Sequence, residues 1–367
     1  MKYLKGIGII VGLMFGAGVF ALPYVVARAG IFWGFIHFVV AVSLTIFLLF
    51  LYARITYDTE GTHRFTGYVE LILGKKFKIF SFVITAVAYY GALLAYGLLG
   101  GFFLSNFFSE HYAFAFSFLF FAVCSTLALL ELNKVALINF YLTIPLFGFV
   151  AYLVYMSLPF IDLNNFVSGA RDMFINKSWF LPYGVWLFSL GGLAAIPETK
   201  DIFSKSSFKD FKKVILFSVS LSAIFYCLFI FAIVGVSDGN TSADALSGAL
   251  GALGSRVILV GSVMGLLAVF TSFLALAIDL RGIFRFDFKL PKTLAWVFVV
   301  VPPVLLFSFG VQDLTKILSL TGSVGLGVSG ALIIFMARKM QGKSFAGLLV
   351  VTGILIAVVY EILNIFF

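Results

Sequence analysis

Eleven stretches of this sequence contain no Asp, Glu, Lys or Arg, and each is close to the length of a membrane-spanning helix. A helix needs about 20 mostly apolar residues to cross a bilayer. Lipid offers no partners for backbone N–H and C=O groups, so the spans must be helices; a closed barrel would show short alternating segments instead. The sequence therefore predicts an all-α, multi-pass membrane protein. The stretches are 6–27, 31–53, 79–105, 112–130, 135–160, 178–197, 214–236, 257–278, 293–309, 317–337 and 344–360.

The composition supports this fold class. Of the 367 residues, 62% are hydrophobic and only 11% are charged, which is too little polar surface to cover a water-soluble globule. Cys124 and Cys227 both lie within apolar stretches, so the sequence offers no disulfide framework. We expect no cofactor other than a coupling ion, and the lipid bilayer as the surrounding partner.

The basic residues predict an orientation in the membrane. With a cytoplasmic N-terminus and eleven spans, 20 of the 25 Lys and Arg residues lie on the inner side, as expected for loops that stay in the cytoplasm. This count predicts a plasma-membrane protein with its N-terminus inside and its C-terminus outside. Topology thus accounts for the net charge of +9, and we expect no nucleic-acid partner.

Two of the predicted spans contain residues that interrupt helices. The first carries Gly12, Gly16 and Gly18 ahead of Pro23, and the sixth carries a pair of glycines within 182–197, a segment that begins and ends with proline. Glycine lowers the free-energy cost of leaving helical geometry, and proline removes a backbone donor. The freed backbone groups then need protein, water or a solute as partners. The alternative is close helix packing through small residues.

The interrupted spans are numbers one and six, which divides the chain into two sets of five. The predicted units are residues 1–160 (spans 1–5), 178–338 (spans 6–10) and 344–367 (an additional span). Because five is odd, the second unit enters from the opposite side and forms an inverted repeat. Interruptions at corresponding places in two halves are typical of a transporter binding site.

Half-helix ends at such interruptions suit a zwitterion. A helix N-terminus attracts an anion and a helix C-terminus attracts a cation. An amino acid fits this pair of ends best, although a small carboxylate or a nucleobase also fits. The sequence predicts a secondary transporter that works by alternating access.

Both interrupted spans resemble a known family. The motif GAGVFALPY at 16–24, together with FSLGG at 188–192 and AIPE at 195–198, resembles the amino acid/auxin permease group and the related bacterial tryptophan/tyrosine permeases of the amino acid-polyamine-organocation superfamily. The resemblance implies the leucine-transporter fold, with five plus five inverted helices and an eleventh, and cation-coupled uptake of amino acids.

The eighth span carries a candidate sodium site. Ala268, Thr271 and Ser272 lie at i, i+3 and i+4, so one carbonyl and two hydroxyls can share a helix face. Hard cations bind oxygen ligands. This spacing is similar to the sodium site of sodium-coupled members of the fold, which implies the carbonyls of Gly12 and Phe15 as further ligands. The alternative is that both hydroxyls bond back to the preceding turn.

Coupling to protons stays open. A proton relay needs a titratable group within the membrane, and His37 is the only candidate in the first ten stretches. Glu131, Glu198 and Asp279 lie at predicted cytoplasmic ends of spans, where placement at the interface accounts for them. Sodium is therefore favoured over protons.

The predicted substrate site takes its residues from both interruptions. The resemblance implies in addition a tyrosine on the third span that meets the substrate carboxylate, either Tyr90 or Tyr96; Tyr89 shares a helix face with Tyr96. Because no charged side chain lines either interruption, we expect a neutral amino acid, aromatic ones included. The remaining candidates are Phe15, Gly16, Ala17 and Gly18 in span one, and Phe188, Ser189, Gly191 and Gly192 in span six.

Two other classes of membrane protein are alternatives to a transporter. A membrane enzyme needs clustered His, Asp, Glu or Cys side chains, whereas the three histidines of this chain are scattered. The sequence therefore predicts that the protein is not an enzyme. A passive ion or solute channel remains an alternative that only the pattern of interruptions argues against.

Overall fold

The computed structural model describes residues 2–61, 63–129, 132–166, 178–203, 206–237, 239–342 and 345–366. Helices lie at all eleven predicted positions. The described α-helices, in chain order, are α1 (Lys2–Met14), α2 (Ala17–Ala29), α3 (Ile31–Asp58), α4 (Phe65–Leu73), α5 (Lys75–Ser105), α6 (Ala113–Leu127), α7 (Leu132–Ser157), α8 (Leu181–Ser189), α9 (Ala195–Phe203), α10 (Phe208–Val236), α11 (Leu250–Gly282), α12 (Lys292–Ser308), α13 (Leu314–Gly322), α14 (Ser329–Gln341) and α15 (Phe345–Phe366).

Five of these helical segments are long and apolar enough to cross a bilayer by themselves, and a bent pair adds a sixth. The bent pair is α1 and α2, which meet at an angle of 54°. Among the described residues, the other apolar helices are shorter than the 18 residues needed to cross a bilayer alone. The five segments are α3, α5, α10, 247–287 and 314–341.

The interrupted helices lie at the centre of the molecule. Every residue of α2 from Ala17 to Pro23 is buried, and so is most of α8, which packs against α2, α3 and α13. The outer face of α3, by contrast, exposes large apolar side chains such as Phe35 and Val39. In a bilayer such a face contacts lipid, since lipid tails are as apolar as the protein interior.

Glycine allows α8 and α13 to touch at their backbones. A Cβ atom on Gly322 would lie 2.6 Å from the backbone nitrogen of Phe188, so any larger residue would separate the two helices. Span ten continues from α13 through a π-helical turn, Ser323–Val328, into α14. Helix α8 is thereby held against α13 and the π-helical turn of span ten.

Two elements differ from the sequence-based expectation. The loop between spans two and three contains a helix, α4, because its apolar face packs on α5 and α14. The eleventh span extends past residue 360 and includes Glu361, which is 0% exposed. The predicted bounds of the two repeats stay a prediction.

Candidate functional site

Both predicted interruptions are present. Helix α1 ends at Met14 and α2 begins at Ala17, while α8 ends at Ser189 and α9 begins at Ala195. Each interruption falls on the glycines that the sequence singles out. The prediction that spans one and six are unwound partway through the protein is confirmed.

The interruption in span one frees a carbonyl and several amides. In a continuous helix the N–H of Gly16 would donate to the carbonyl of Gly12, but here it donates to the carbonyl of Met14 at 2.8 Å. The carbonyl of Gly12 thus loses its usual helical partner. The first N–H groups of α2, from Ala17 onward, have no partners within their own helix. Span one therefore presents acceptors and donors side by side.

The interruption in span six has the same character. The N–H of Gly191 donates to the carbonyl of Phe188 at 3.0 Å, so the carbonyl of Leu187 loses the partner that a continuous helix would provide. The N–H of Ala195 donates to the carbonyl of Gly192 at 3.1 Å, which closes a turn before α9.

The two interruptions touch each other. A Cβ atom on Gly18 would lie 2.8 Å from the Cα atom of Ser189, and one on Gly192 would lie 2.8 Å from the terminal methyl carbon of Met14. The Ser189 hydroxyl donates to the carbonyl of Val185 within its own helix. The glycines thus serve close packing as well as unwinding, and the two interruptions form a single site.

Tyr226 on α10 bridges the two half-helices, a role that the sequence does not reveal. Its hydroxyl lies 2.7 Å from the carbonyl oxygen of Met14 and 2.9 Å from that of Ser189. The residue is fully buried. One hydroxyl therefore serves the C-terminal carbonyls of both α1 and α8. Tyr226 is one of 15 tyrosines, and no pattern in the sequence distinguishes it.

The structure brings together most of the predicted sodium ligands. The hydroxyl of Ser272 donates to the carbonyl of Phe15 at 3.0 Å, across two spans. The hydroxyl of Thr271 donates to the carbonyl of Ala268 at 3.1 Å, which is the contact that the back-bonding alternative expects. Ser272 bonds to the interruption rather than to its own helix.

A cavity of about 100 Å³ adjoins the interruptions. It is lined by Leu13 and Met14 of span one, by Phe188 and Gly191 of span six, and by Tyr96 of α5. The rings of Phe188 and Tyr96 have centroids 6.3 Å apart. The Tyr96 hydroxyl lies close to the backbone at residue 16, since a Cβ atom added there would be 3.0 Å away.

Tyr90 does not belong to this site. Its hydroxyl donates to the carbonyl of Phe298 on α12 at 2.7 Å, whereas Tyr89 and Tyr96 line the cavity together, as their shared helix face predicts. Tyr90 is one residue from Tyr89 and so is turned about 100° away around the helix. The Phe15 ring also points away and packs on Phe225 with centroids 4.5 Å apart, so that residue contributes its carbonyl.

The cavity extends from the interruptions to a buried cluster of charged residues. Arg64 lies 3.1 Å from a carboxylate oxygen of Asp279 and 3.7 Å from one of Glu198, and the Tyr89 hydroxyl donates to Asp279 at 2.8 Å. Asp279 is 4% exposed. The interpretation of Asp279 as an interface residue is therefore wrong: the segment before α4 folds inward and buries Arg64 against it.

The other titratable candidates fall outside the site. A ring nitrogen of His37 lies 2.8 Å from the carbonyl of Trp33, one turn earlier, and the ring packs among the aromatic side chains of Trp179, Phe180 and Tyr183. His37 thus has a packing role. Glu131 lies outside the described residues.

Comparison with known proteins agrees with this geometry. The model of the tryptophan/tyrosine permease family matches residues 1–365. Among curated proteins, none matches the chain.

Two solved structures share the fold. The crystal structure of MhsT in complex with L-phenylalanine superposes with a TM-score of 0.71 at 17% identity, covering 98% of each chain. The structure of Mhp1, a nucleobase-cation-symport-1 family transporter in a closed conformation with bromovinylhydantoin bound, superposes with a TM-score of 0.67 at 13% identity; the match covers 99% of this chain and 91% of that one. Both have the leucine-transporter fold.

Proposed function

We propose, from the premise that this chain belongs to the tryptophan/tyrosine permease family, that it is a sodium-coupled symporter of a neutral amino acid. Family and fold make it a membrane transporter of the amino acid permease type, not an enzyme. The observation that carries the finer proposal is the pairing of two unwound spans beside one cavity. Coupling to sodium and the class of substrate are inferred from the geometry of this pair.

The substrate carboxylate would bind at the N-terminus of α2. The N–H groups of Ala17 and Gly18 have no partners within their own helix, and the positive end of the helix dipole lies there. The hydroxyl of Tyr96 is close by and can donate a further hydrogen bond. The three donors suit a carboxylate, which accepts several hydrogen bonds at once.

The substrate ammonium group would bind at carbonyls of the interruptions. The Leu187 carbonyl has lost its helical partner, and the residue lines the cavity. The C-terminal ends of α1 and α8 carry the negative ends of their helix dipoles. This arrangement favours a positively charged group.

The substrate side chain would lie against apolar and aromatic walls. Phe188, Leu13 and Ala92 line the cavity, whereas its two charged lining residues, Arg64 and Asp279, pair with each other. A charged side chain would be costly to bury in such surroundings, whereas an aromatic ring could stack on Phe188. The L-phenylalanine bound in MhsT supports a substrate of this kind.

Sodium would bind between span eight and the interruption in span one. The carbonyls of Gly12, Phe15 and Ala268 and the hydroxyls of Thr271 and Ser272 provide five oxygen ligands, the donor type that hard cations prefer. An ion there would tie span eight to span one and fix the half-helices that hold the amino acid. In our proposal, spans 1, 2, 6 and 7 then rock against spans 3, 4, 8 and 9 to expose the site to each side in turn.

Transport into reconstituted vesicles tests this proposal. We expect an inward sodium gradient to drive uptake of an amino acid against its own gradient. Uptake driven by a pH gradient with no need for sodium would indicate proton coupling instead. Ion current without solute movement would indicate a channel.

A double variant tests the ion site itself. Thr271→Ala together with Ser272→Ala should raise the sodium concentration for half-maximal uptake by about tenfold or more, since each tenfold corresponds to 1.4 kcal/mol of lost ion binding. Ser308→Ala is the matched control, because that hydroxyl also bonds back to its own helix, at 2.8 Å, but lies on α12. Equal sodium dependence in the double variant and the control would exclude the assigned site.

A further inference from the structure

A groove lies where span eight ends, and it shares no lining residue with the cavity at the interruptions. Its walls are the segment that leads into and forms α4, the start of α5, and residues 286–289 beyond α11. The orientation predicted from the basic residues places this end of span eight on the cytoplasmic side. Leu71 and Phe286 line the groove, and each is 57% exposed. The groove therefore opens to the surroundings of the protein.

The acidic groups in this groove already have donors. The Asp287 carboxylate accepts a hydrogen bond from the hydroxyl of Thr66, and the Glu70 carboxylate pairs with the ammonium group of Lys78 at 2.5 Å. Lys78 also donates to the carbonyl of Asp287 at 2.7 Å. These contacts fasten α4 and α5 to the end of span eight. Each carboxylate among the described lining residues is thus matched by a donor.

Lys289 differs from these residues, because its ammonium group has neither an ion pair nor a hydrogen bond among the described residues. Its backbone has a φ of 56°, and Lys289 and Ala245 are the two non-glycine residues with positive φ in the part of the chain that the structure describes. This left-handed conformation is unfavourable for a residue with a side chain, and glycine adopts it more easily. A strained residue on the wall of a groove points to a function for its side chain.

Lys289 belongs to a set of exposed basic residues around the groove. Four others lie within three residues of a lining residue, and none of them has an ion pair within the described chain. A cleft surrounded by charge of one sign attracts the opposite charge. On α5 the basic residues lead directly into exposed apolar ones such as Ile79, so the positive charge borders a surface that suits lipid tails. The four residues are Lys75, Lys76, Arg285 and Lys292.

We propose that this groove binds the headgroup of an anionic phospholipid from the surrounding bilayer. The phosphate lies against Lys289 and its basic neighbours, and the acyl chains lie along Leu71, Phe286 and Ile79. Basic residues at the inner surface of a membrane attract anionic lipids. A free phosphate ion would use the positive charge but not the exposed apolar walls, so the combination favours a lipid. This site is independent of the solute that the protein transports.

Titration of the purified protein in a neutral detergent tests the site. The probes are dioleoyl phosphatidylglycerol, dioleoyl phosphatidylcholine and inorganic phosphate, each added alone, and the melting temperature is followed because a ligand stabilises the state that it binds. We expect a saturable rise in melting temperature with phosphatidylglycerol. Phosphatidylcholine and inorganic phosphate at the same concentration should produce no such rise.

A matched pair of variants separates this groove from the rest of the basic surface, since topology alone also places basic residues on the cytoplasmic side. Lys289→Gln should raise the half-saturating concentration of phosphatidylglycerol about fivefold, the loss expected for one basic side chain at a membrane surface. Lys339→Gln should leave it unchanged. Lys339 is exposed, has no ion pair among the described residues and is predicted to lie on the same side, but it does not line the groove.

Lys289→Gly serves as a second variant whose folding is secure. Glycine relieves the strain of the left-handed backbone, so the melting temperature of this variant without lipid should be at least as high as that of the wild type. It should nevertheless bind phosphatidylglycerol as weakly as Lys289→Gln does. Wild-type affinity in Lys289→Gly would exclude a role for this side chain.

Three further results would overturn the lipid site. Equal effects of Lys289→Gln and Lys339→Gln would mean that the whole basic surface attracts lipid. Equal binding of phosphatidylcholine would mean that negative charge is not recognised. Competition by inorganic phosphate at the same concentration would make the ligand a free anion. Because no amino acid is present in these titrations, a failure of the proposed transport function would leave their outcome unchanged.

Discussion

Replacement of Tyr226 by phenylalanine tests whether the two half-helices are held together by one hydroxyl. The change keeps the buried ring and removes only the oxygen that lies 2.7 Å from the carbonyl of Met14 and 2.9 Å from that of Ser189. A buried acceptor left without its partner costs about 1–3 kcal/mol. The Met14 carbonyl keeps the N–H of Gly16 as a partner at 2.8 Å, so only the Ser189 carbonyl loses its donor, and we expect a loss of about 2 kcal/mol.

The measurement compares melting temperature and amino acid affinity with those of a control variant. Tyr57→Phe removes a similar hydrogen bond, from a tyrosine hydroxyl to the carbonyl of Ser206 at 2.7 Å, but at the partly exposed end of α3. It should lower stability by only about 1 kcal/mol, the usual net contribution of a hydrogen bond whose donor water can replace. Tyr226→Phe should also weaken amino acid binding by about tenfold or more, and Tyr57→Phe should not. Equal effects of the two variants on stability and affinity would refute the bridging role.

Three further substitutions have expected outcomes. Gly18→Ala should abolish transport and lower the melting temperature, because its Cβ atom would lie 2.8 Å from the Cα atom of Ser189. The control Gly148→Ala should do neither, since no atom of another element lies within 4 Å of the added carbon. Transport by Gly18→Ala would contradict the close approach of the two interruptions. Tyr96→Phe should lower substrate affinity about ten- to hundredfold through loss of one hydrogen bond to a charged group, worth about 1.5–3 kcal/mol. Unchanged affinity would exclude this residue from the carboxylate site. Glu361→Gln keeps the shape of the side chain and should leave the melting temperature unchanged or raise it. The reason is that the carboxyl group is fully buried and hydrogen-bonded only to Ser319 among the described residues. A large drop in the melting temperature would mean that a charged carboxylate is needed there.

The interruptions could be predicted from the sequence because their cause is local. Glycine weakens a helix wherever it packs. Gly16 lies between α1 and α2, and the pair Gly191 and Gly192 lies between α8 and α9. The pairing of Ser272 with the carbonyl of Phe15 was accessible only through resemblance to a known fold, because spacing along one helix does not identify its partner.

Other parts of the site depend on tertiary packing that periodicity cannot resolve. Helical spacing places Tyr89 and Tyr96 on one face, but only the rotation of α5 decides that this face, and not that of Tyr90, meets the cavity. Asp279 ends an uncharged stretch and so resembles an interface residue, until the chain before α4 folds inward and places Arg64 beside it.

The position of Glu361 inside the last span cannot be predicted from the sequence for a simpler reason. Spans predicted from uncharged stretches stop at the first acid by construction, whereas α15 continues to Phe366. A buried carboxylate near the end of a span cannot be distinguished by that criterion from one at the membrane surface.

If the ends of the unwound helices bind both charges of an amino acid, substrate analogues that lack one charge should bind more weakly. Affinities are measured for L-phenylalanine, for its amide, which lacks the carboxylate, and for 3-phenylpropionate, which lacks the ammonium group. Each missing charge removes at least two hydrogen bonds to a charged group, about 3 kcal/mol in total, so each analogue should bind about 100-fold more weakly. If the amide and the acid bind as tightly as the amino acid in the presence of sodium, the half-helix ends do not bind the zwitterion.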